Sequence, residues 1–546
     1  MAAARGAEPS SAARRMRWPA LAIVALALLA SLGLHLWGVE RNLPDGRDVD
    51  EDALLRPAIR IAASGDLNPR WFGYPGSTVI YPLAALLHVR EAAWHGGSWT
   101  SPNRSIRARF FAGDFASSAR TGRYLSIAYG VASVALAAWV GWLAFGPATA
   151  AVGAVLAAAS PLAIEYAQPL RSDSAATFFG LLYLALVLRA LDTPTVSRHA
   201  LAGAALGLAV ASRFLMASTG AVLAAAQLRL WRRGTDGAPV APIVAGWLAV
   251  PLAFFATTPY VLLAAPAALQ GLRVAAQKQS VHVGIEPLGL LGNLRYYLAE
   301  AIPQAIGWPQ YVLALLAVAV LAWRRSFAPL LLALYVIVFL VGISILGIHW
   351  QRWAVPALPV LAVLAAQAIV AGADGVARAL RSPRGLRPAI AAGAALLVVI
   401  GPAREAARLS RLYAHPSTEV VTLDWVLANL PDGARIAHEW YTAPLASKRA
   451  RAKRFKVLEV STLSRHPLAF YRGNGWEYLL ISTNMYGRYT RNPEAHPRQV
   501  AFYRRLRETA TLLFEARPSR EVRGPIVGVY RLPGMQRVDR RSARDG

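Results

Sequence analysis

The stretch "RDVDEDALLRPAIRIAASGDLNPRWFGYPG", Arg47 to Gly76, follows the first apolar segment of the chain. It carries four acids within five residues, namely Asp48, Asp50, Glu51 and Asp52. Behind the acids, apolar residues recur at intervals of three and four over 54–62, which predicts an amphipathic helix. One or two acids suffice to cap the N-terminus of a helix, so capping alone does not explain four.

The whole chain is unusually apolar. Of its 546 residues, 55% are hydrophobic and 16% are charged, and the mean hydropathy is positive. Apolar blocks of roughly 17 to 25 residues match the length needed to cross a bilayer. We therefore predict a polytopic α-helical membrane protein with about eleven transmembrane helices, at 18–38, 122–145, 148–164, 174–191, 199–211, 214–230, 241–258, 309–324, 327–347, 353–371 and 388–402.

The formal charge of +28 comes almost entirely from arginine. In a soluble domain such a charge would favour nucleic-acid binding. Here many of the arginines flank apolar blocks, where they orient helices and meet anionic headgroups, so we predict no nucleic-acid partner. The absence of cysteine excludes disulfides and thiolate metal sites.

We divide the chain into a cytoplasmic tail at 1–17, a transmembrane domain at 18–403 and an extracytoplasmic α/β domain at 404–546. Segment 77–94 is interpreted as a juxtamembrane helix, so that 39–121 forms one outer loop. If 77–94 crossed the membrane instead, Asp173 would lie in the cytoplasm, away from the acid cluster. In the last domain, "VVTLDWVLANLPDGARIAHEW" predicts helix, turn and strand, "EYLLISTN" and "IVGVYRL" predict further strands, and the basic run 448–456 is expected to rest on anionic lipid.

Further charged residues fall at the ends of predicted spans. Asp173 opens one span, with Arg171 as a candidate partner, and Arg213 lies at the turn of a helical hairpin. Arg352 lies between two spans beside His349, where an aromatic-flanked arginine is also typical of a lipid anchor. Guanidinium groups suit phosphate, and a carboxylate partly desolvated at the bilayer surface is a stronger base than in water. Outward-facing arginines and carboxylates therefore favour transfer of a group from a lipid phosphate to an acceptor hydroxyl.

Several motifs in order resemble a known family. They are "DEDALLRPAIRIAASGDLNPRWFGYPG", "RTGRYLS", "QPLRSDSAATFF", "LGLAVASRF", "TTPYVLL" and "HWQRWAVPALP". Over roughly residues 18–372 the chain resembles the polyprenyl-phosphate-dependent glycosyltransferases of the GT-C superfamily, which include protein O-mannosyltransferases and the lipid A aminoarabinose transferase. The resemblance implies juxtamembrane helices in the first outer loop.

The resemblance also implies roles for individual residues. Asp50, Glu51 and Asp173 would be catalytic, with Asp50 as the general base. Three arginines would hold the donor phosphate, namely Arg123, Arg213 and Arg352. The family's usual Pro-Asp-Glu is Val-Asp-Glu here, so Asp48 and Asp52 remain alternatives for the base. Asp48, Asp52 and His349 are accessory candidates.

The resulting hypothesis is an integral-membrane glycosyltransferase on the outer face of a bacterial inner membrane. It would transfer a sugar from a polyprenyl-phosphate donor to a glycan, lipid or protein acceptor. The alternatives are a transporter or flippase of lipid-linked sugars, which the scarcity of ionisable groups at mid-span disfavours, and a non-catalytic scaffold. No cofactor is assigned, and Mg²⁺ or Mn²⁺ bound by the clustered carboxylates is an open alternative.

Overall fold

The computed structural model describes residues 11–233, 240–280, 287–381 and 386–533. As far as Ser212 its helices are α1 (Ser11–Trp37), α2 (Asp52–Ser64), α3 (Ser77–Trp94), α4 (Arg104–Phe111), α5 (Ala116–Phe145), α6 (Pro147–Ala158), α7 (Pro161–Ala167), α8 (Ser172–Asp192) and α9 (Val196–Ser212). Next come α10 (Gly220–Arg233), α11 (Val240–Thr257), α12 (Tyr260–Leu263), α13 (Ala265–Ser280), α14 (Gly289–Tyr296), α15 (Ile302–Ile306), α16 (Trp308–Trp323), α17 (Phe327–Ser344), α18 (Leu358–Ala379) and α19 (Leu386–Ala414). Short 3₁₀ segments cover Val49–Glu51, Phe214–Thr219 and Gln351–Ala357.

Every predicted apolar block falls on helical structure. Within the described ranges, eight helices are long and apolar enough to cross a membrane, and α6 with α7 makes a ninth span if their 62° bend is one broken helix. The expected number of about eleven is therefore larger than the eight or nine spans that meet this standard in the described ranges. The blocks at 199–211 and 309–324 form helices of 17 and 16 residues, about 25 Å long against roughly 30 Å of hydrocarbon. The chain is a multi-pass membrane protein.

The segment between α1 and α5 forms a small helical layer. Helix α2 buries the face predicted from its apolar spacing, including Leu54 and Ile59, against Ile80 and Leu83 of α3. Helix α3 has the predicted bounds, and it is not among the described helices that are long and apolar enough to cross a membrane. Its juxtamembrane position remains a prediction. Because α2 is fixed on both α3 and α4, the acid cluster at its N-terminus is held rigidly.

The C-terminal part forms a mixed sheet with helices on both faces. Its strands are β1 (Arg435–Glu439), β2 (Lys456–Val460), β3 (Tyr478–Ser482), β4 (Thr511–Ala516) and β5 (Val527–Arg531), and its helices are α20 (Thr418–Asn429), α21 (Lys448–Ala452), α22 (Leu468–Gly473), α23 (Thr483–Thr490) and α24 (Pro497–Thr509). The strand order is β2-β1-β3-β5-β4, with β1 parallel to β2 and β3. All five residues of β3 are buried, as expected for a strand covered on both faces.

Three of the five strands, β1, β3 and β5, were predicted, whereas β2 and β4 were not. The basic run 448–456 forms α21 and the start of β2. Arg449 donates to Asp45 at 2.7 Å and to Asp424 at 2.8 Å, and contact of the basic run with lipid remains a prediction. Helix α19 runs without a break across the boundary placed at 403, and that boundary remains a prediction.

Candidate active site

A cavity of about 1470 Å³ lies between one end of the group of spans and the C-terminal sheet. On the membrane side it is lined by charged residues that are far apart in sequence: Asp48, Asp50, Arg171, Arg213 and Arg352. On the opposite side it is lined by residues that follow the parallel strands: Trp440, Tyr441, Ser461, Thr462, Thr483 and Asn484. The acid cluster therefore faces a large cavity.

Asp50 is the centre of the membrane-side charges. Its carboxylate oxygen Oδ2 accepts hydrogen bonds from Nη1 of Arg171, at 2.6 Å, and from Nη1 of Arg352. Burial disfavours the charged carboxylate, but the charges of Arg171 and Arg352 outweigh that effect and lower the pKa of Asp50. The expectation that desolvation makes this acid a stronger base than in water is therefore wrong for the structure as it stands.

The other two aspartates of the cluster are less exposed than Asp50. Asp48 caps the 3₁₀ turn, since its Oδ1 accepts from the backbone N–H of Asp50 at 3.1 Å, and it also binds Nη2 of Arg171 at 2.8 Å. Asp52 pairs with Arg47 and Arg56 and does not line the cavity. The side chain of Asp50 is 42% exposed, against 15% for Asp48 and 24% for Asp52, so Asp50 is the acid most open to a ligand.

Glu51 is buried, in contrast to its neighbour. Its side chain is 0% exposed and forms a bidentate pair with Arg123, which is 1% exposed, at 2.8 and 2.9 Å. Glu51 also accepts from the backbone N–H of Leu170, and Arg123 also donates to the carbonyls of Val39 and Arg41. Neither side chain lines the cavity. This placement does not support a phosphate-binding role for Arg123 or substrate contact by Glu51. The pair holds α5, the acid turn and the segment that follows α1 together.

Asp173 and Arg213 form a second buried pair. Asp173 lies in the first turn of α8, and its carboxylate accepts from Nη1 of Arg213. The pairing of Asp173 with Arg171 that the sequence suggested is wrong, because Arg171 turns toward Asp48 and Asp50. Arg213 lies at the predicted hairpin turn between α9 and α10 and lines the cavity, whereas Asp173 lies behind it.

Arg171 has a larger part in the cavity than its sequence context indicated. Its guanidinium is 10% exposed and connects Asp48 with Asp50, and its backbone N–H donates to Ser126 at 3.0 Å. The only signal in the sequence was its place in "QPLRSD", two residues before Asp173. His349 packs its ring against Tyr296 at 4.3 Å and does not line the cavity, so its accessory role is unsupported.

The same contacts bear on the question of a metal. Within residues 11–233, 240–280, 287–381 and 386–533, no group of three or more His, Asp or Glu side chains is arranged to hold an ion. Each acid of the cluster instead faces a guanidinium group. The acid cluster in the described residues therefore does not present a set of ligands arranged for Mg²⁺ or Mn²⁺.

Comparison with known proteins gives similarity in structure alone. No protein-family model and no curated protein sequence matches the chain. The solved structure of ArnT from Cupriavidus metallidurans bound to undecaprenyl phosphate is similar over 93% of this chain and 97% of its own, with a TM-score of 0.53 and 15% identity. Its apo form gives a TM-score of 0.52 and 16% identity over the same shares.

A second protein shares the architecture more loosely. The archaeal oligosaccharyltransferase AglB from Archaeoglobus fulgidus, in complex with an inhibitory peptide and a dolichol-phosphate, is similar over 86% of this chain and 70% of its own. Its TM-score is 0.50 and its identity is 14%. Together with the arrangement of spans, outer-loop helices and sheet, these similarities show that the chain has the GT-C fold that its sequence motifs indicated.

Proposed function

We propose that this protein is an integral-membrane glycosyltransferase that moves a sugar from a polyprenyl phosphate to an acceptor hydroxyl group. The observation that carries the proposal is the position of Asp50. Its carboxylate accepts hydrogen bonds from both Arg171 and Arg352 in a large cavity at the ends of the spans. Two structures of the same fold hold undecaprenyl phosphate and dolichol-phosphate, respectively, which supports a lipid phosphate as the donor here.

The arginines are suited to hold the donor. Arg352 is 22% exposed and Arg213 is 11% exposed, and both line the cavity. Without a donor, Arg352 pairs with the carboxylate of Asp50. A phosphate offers more charge and more acceptor oxygens than a carboxylate, so it takes the place of Asp50 on Arg352. Arg171 remains bound to Asp48 and keeps the acid turn in place.

This exchange prepares Asp50 to act as the base. Once Arg352 binds phosphate, Asp50 loses a neighbouring positive charge, and its pKa rises toward the ordinary value. The acceptor oxygen then forms a bond to the anomeric carbon, and its proton passes to Asp50. The bond between that carbon and the phosphate oxygen breaks, and polyprenyl phosphate leaves with the electron pair, stabilised by arginine. A single displacement of this kind inverts the anomeric configuration.

We assign the reaction to the outer face of a bacterial inner membrane, with the N-terminus in the cytoplasm. The distribution of arginines supports this orientation. Arg324 and Arg325 precede α17, and Arg352 follows it, so the basic pair lies at the opposite end of that span from the cavity. Basic connectors are typical of the cytoplasmic side.

The test is an assay of the purified full chain with a panel of polyprenyl phosphate sugars and a solubilised membrane fraction as acceptor source. Release of free polyprenyl phosphate is measured. We expect one donor class to be consumed and Asp50→Asn to abolish release while solubility and thermal unfolding stay unchanged, because the base is lost. Asp52→Asn is the matched control, since it removes an equal charge from the same cluster outside the cavity. Full activity in Asp50→Asn would refute the assignment.

A further inference from the structure

We propose that the edge of the C-terminal sheet facing Asp50 is the acceptor subsite, and that the acceptor is a saccharide bearing a phosphate or carboxylate group. The inference rests on the proposed glycosyl transfer and names its substrate class. Three independent features of this edge support it: the topology of the strands, the side chains that follow them, and the charge balance of the cavity.

The topology makes this edge a binding crevice. Strands β2, β1 and β3 are parallel, so their carboxyl ends lie at one edge of the sheet. The chain passes from β1 to β2 on one side and then to β3 on the other, and the strand order therefore reverses between β1 and β3. Ligands of open α/β sheets bind outside the carboxyl ends at such a reversal. Tyr441 follows β1 and Asn484 follows β3, and both line the cavity.

The side chains at this reversal suit a sugar. Trp440 is 42% exposed, and it lines the cavity beside Tyr441. The apolar C–H face of a sugar ring packs on such aromatic surfaces, while the amide of Asn484 is available to its hydroxyl groups. Tyr441 has a φ of 61°, a strained conformation for a residue with a side chain, of the kind that is retained at functional sites.

The subsite is close to the proposed base. Burial raises the pKa of the Tyr441 phenol, and the negative charge of Asp50 raises it further. Both line the same cavity. An acceptor that rests on Trp440 and Tyr441 therefore shares the cavity with the proposed base.

The charge balance indicates an anionic acceptor. Seven arginines line the cavity against three carboxylates: Arg41, Arg70, Arg171, Arg213, Arg352, Arg488 and Arg491 against Asp48, Asp50 and Glu165. Two more carboxylates, Asp66 and Asp173, neutralise Arg70 and Arg213 from outside the lining, so an excess of two positive charges remains. The first five arginines each pair with a carboxylate. In the part of the chain that the structure describes, Arg488 and Arg491 have no carboxylate within 4.0 Å.

Arg488 is the better placed of these two arginines. It lies on α23, which begins directly after β3, and its Nε donates to the carbonyl of Asn484 at 2.7 Å. Its guanidinium carbon lies 5.7 Å from the centre of the Tyr441 ring. The backbone bond and the ring orient the guanidinium beside the aromatic pair, where its remaining N–H groups are suited to a phosphate or carboxylate.

The experiment measures saccharide binding without a donor. Glucose 6-phosphate, glucuronate and glucose are titrated against the purified full chain by calorimetry. We expect the two anionic sugars to bind and glucose to bind at least about 10-fold more weakly, because a charged hydrogen bond is lost. Arg488→Gln should weaken the anionic sugars by about 10-fold or more, and Arg488→Lys by less. Arg498→Gln, on the exposed face of α24, is the matched control and should change nothing.

Further variants separate this site from the donor site. If a sugar phosphate occupied the donor phosphate position, Arg352→Gln would abolish its binding and Arg488→Gln would not. That result would overturn the proposal. Equal binding of glucose, or no binding of either anionic sugar at millimolar concentration, would overturn it as well. Monodispersity and thermal unfolding of each variant exclude misfolding, and Trp440→Ala, which leaves the charges intact, should weaken all three sugars together.

Failure of the proposed reaction has a different signature. If no polyprenyl phosphate sugar is consumed while anionic sugars still bind in an Arg488-dependent manner, glycosyl transfer is refuted and the saccharide site stands. If a donor is consumed but binding does not depend on Arg488, the transferase stands and the anionic subsite is refuted.

Discussion

Replacing Asp50 with asparagine should strengthen binding of polyprenyl phosphate while transfer is lost. In the structure, the carboxylate of Asp50 forms an ion pair with Arg352, and Arg171 binds both Asp50 and Asp48. A donor phosphate must displace this carboxylate before it pairs with Arg352. Asparagine has nearly the same shape but no charge, so it competes poorly for the guanidinium.

The size of the effect follows from the bond that is exchanged. A hydrogen bond to a charged group contributes about 1.5–3 kcal/mol, which corresponds to roughly a 10- to 150-fold change in Kd. Asp50 is 42% exposed, so solvent screens part of the interaction, and we expect a value at the lower end of that range. The Kd of undecaprenyl phosphate should therefore fall by about 10-fold in Asp50→Asn.

The assay is equilibrium binding of labelled undecaprenyl phosphate to the purified chain in nanodiscs, over a series of salt concentrations. Asp52→Asn is again the control, since Asp52 pairs with Arg47 and Arg56 and touches neither Arg171 nor Arg352. Its Kd should match that of the wild-type protein. Weaker or unchanged binding in Asp50→Asn, with the fold intact, would refute the exchange of carboxylate for phosphate.

Two further predictions concern stability. Glu51→Gln leaves Arg123 buried without a counter-charge and should lower the free energy of unfolding by about 3–5 kcal/mol, whereas Asp52→Asn should cost about 1 kcal/mol or less; equal thermal unfolding of the two variants would contradict this. Burial raises the pKa of Glu439 to about 7 from 4.5, so the folded state binds the proton more tightly, and stability should fall by about 3 kcal/mol as pH rises from 4.5 through 7. In Glu439→Gln, the free energy of unfolding should no longer fall with pH in that window. An unchanged dependence on pH would contradict the assignment.

Local patterns of the chain were sufficient to predict the helices and part of the sheet. Each apolar block lies on a helix because hydrophobic length and periodicity are properties of short segments. The spacing over 54–62 predicted the buried face of α2 for the same reason. Strands β2 and β4 were not predicted. Strand β2 begins at the end of a basic run, and three of its five residues and three of the six residues of β4 are exposed, so neither strand shows the alternation of a half-buried strand.

The sequence by itself determined which chemical groups are present, namely clustered carboxylates and span-end arginines in a polytopic membrane protein. Only the tertiary structure decided their partners. Asp50 meets Arg171 and Arg352 across 121 and 302 residues, and identical guanidinium groups carry no local mark of which carboxylate they will bind. It also separated the adjacent acids Asp50 and Glu51, one facing the cavity and the other buried against Arg123, because burial depends on the elements packed around a turn and not on the turn itself.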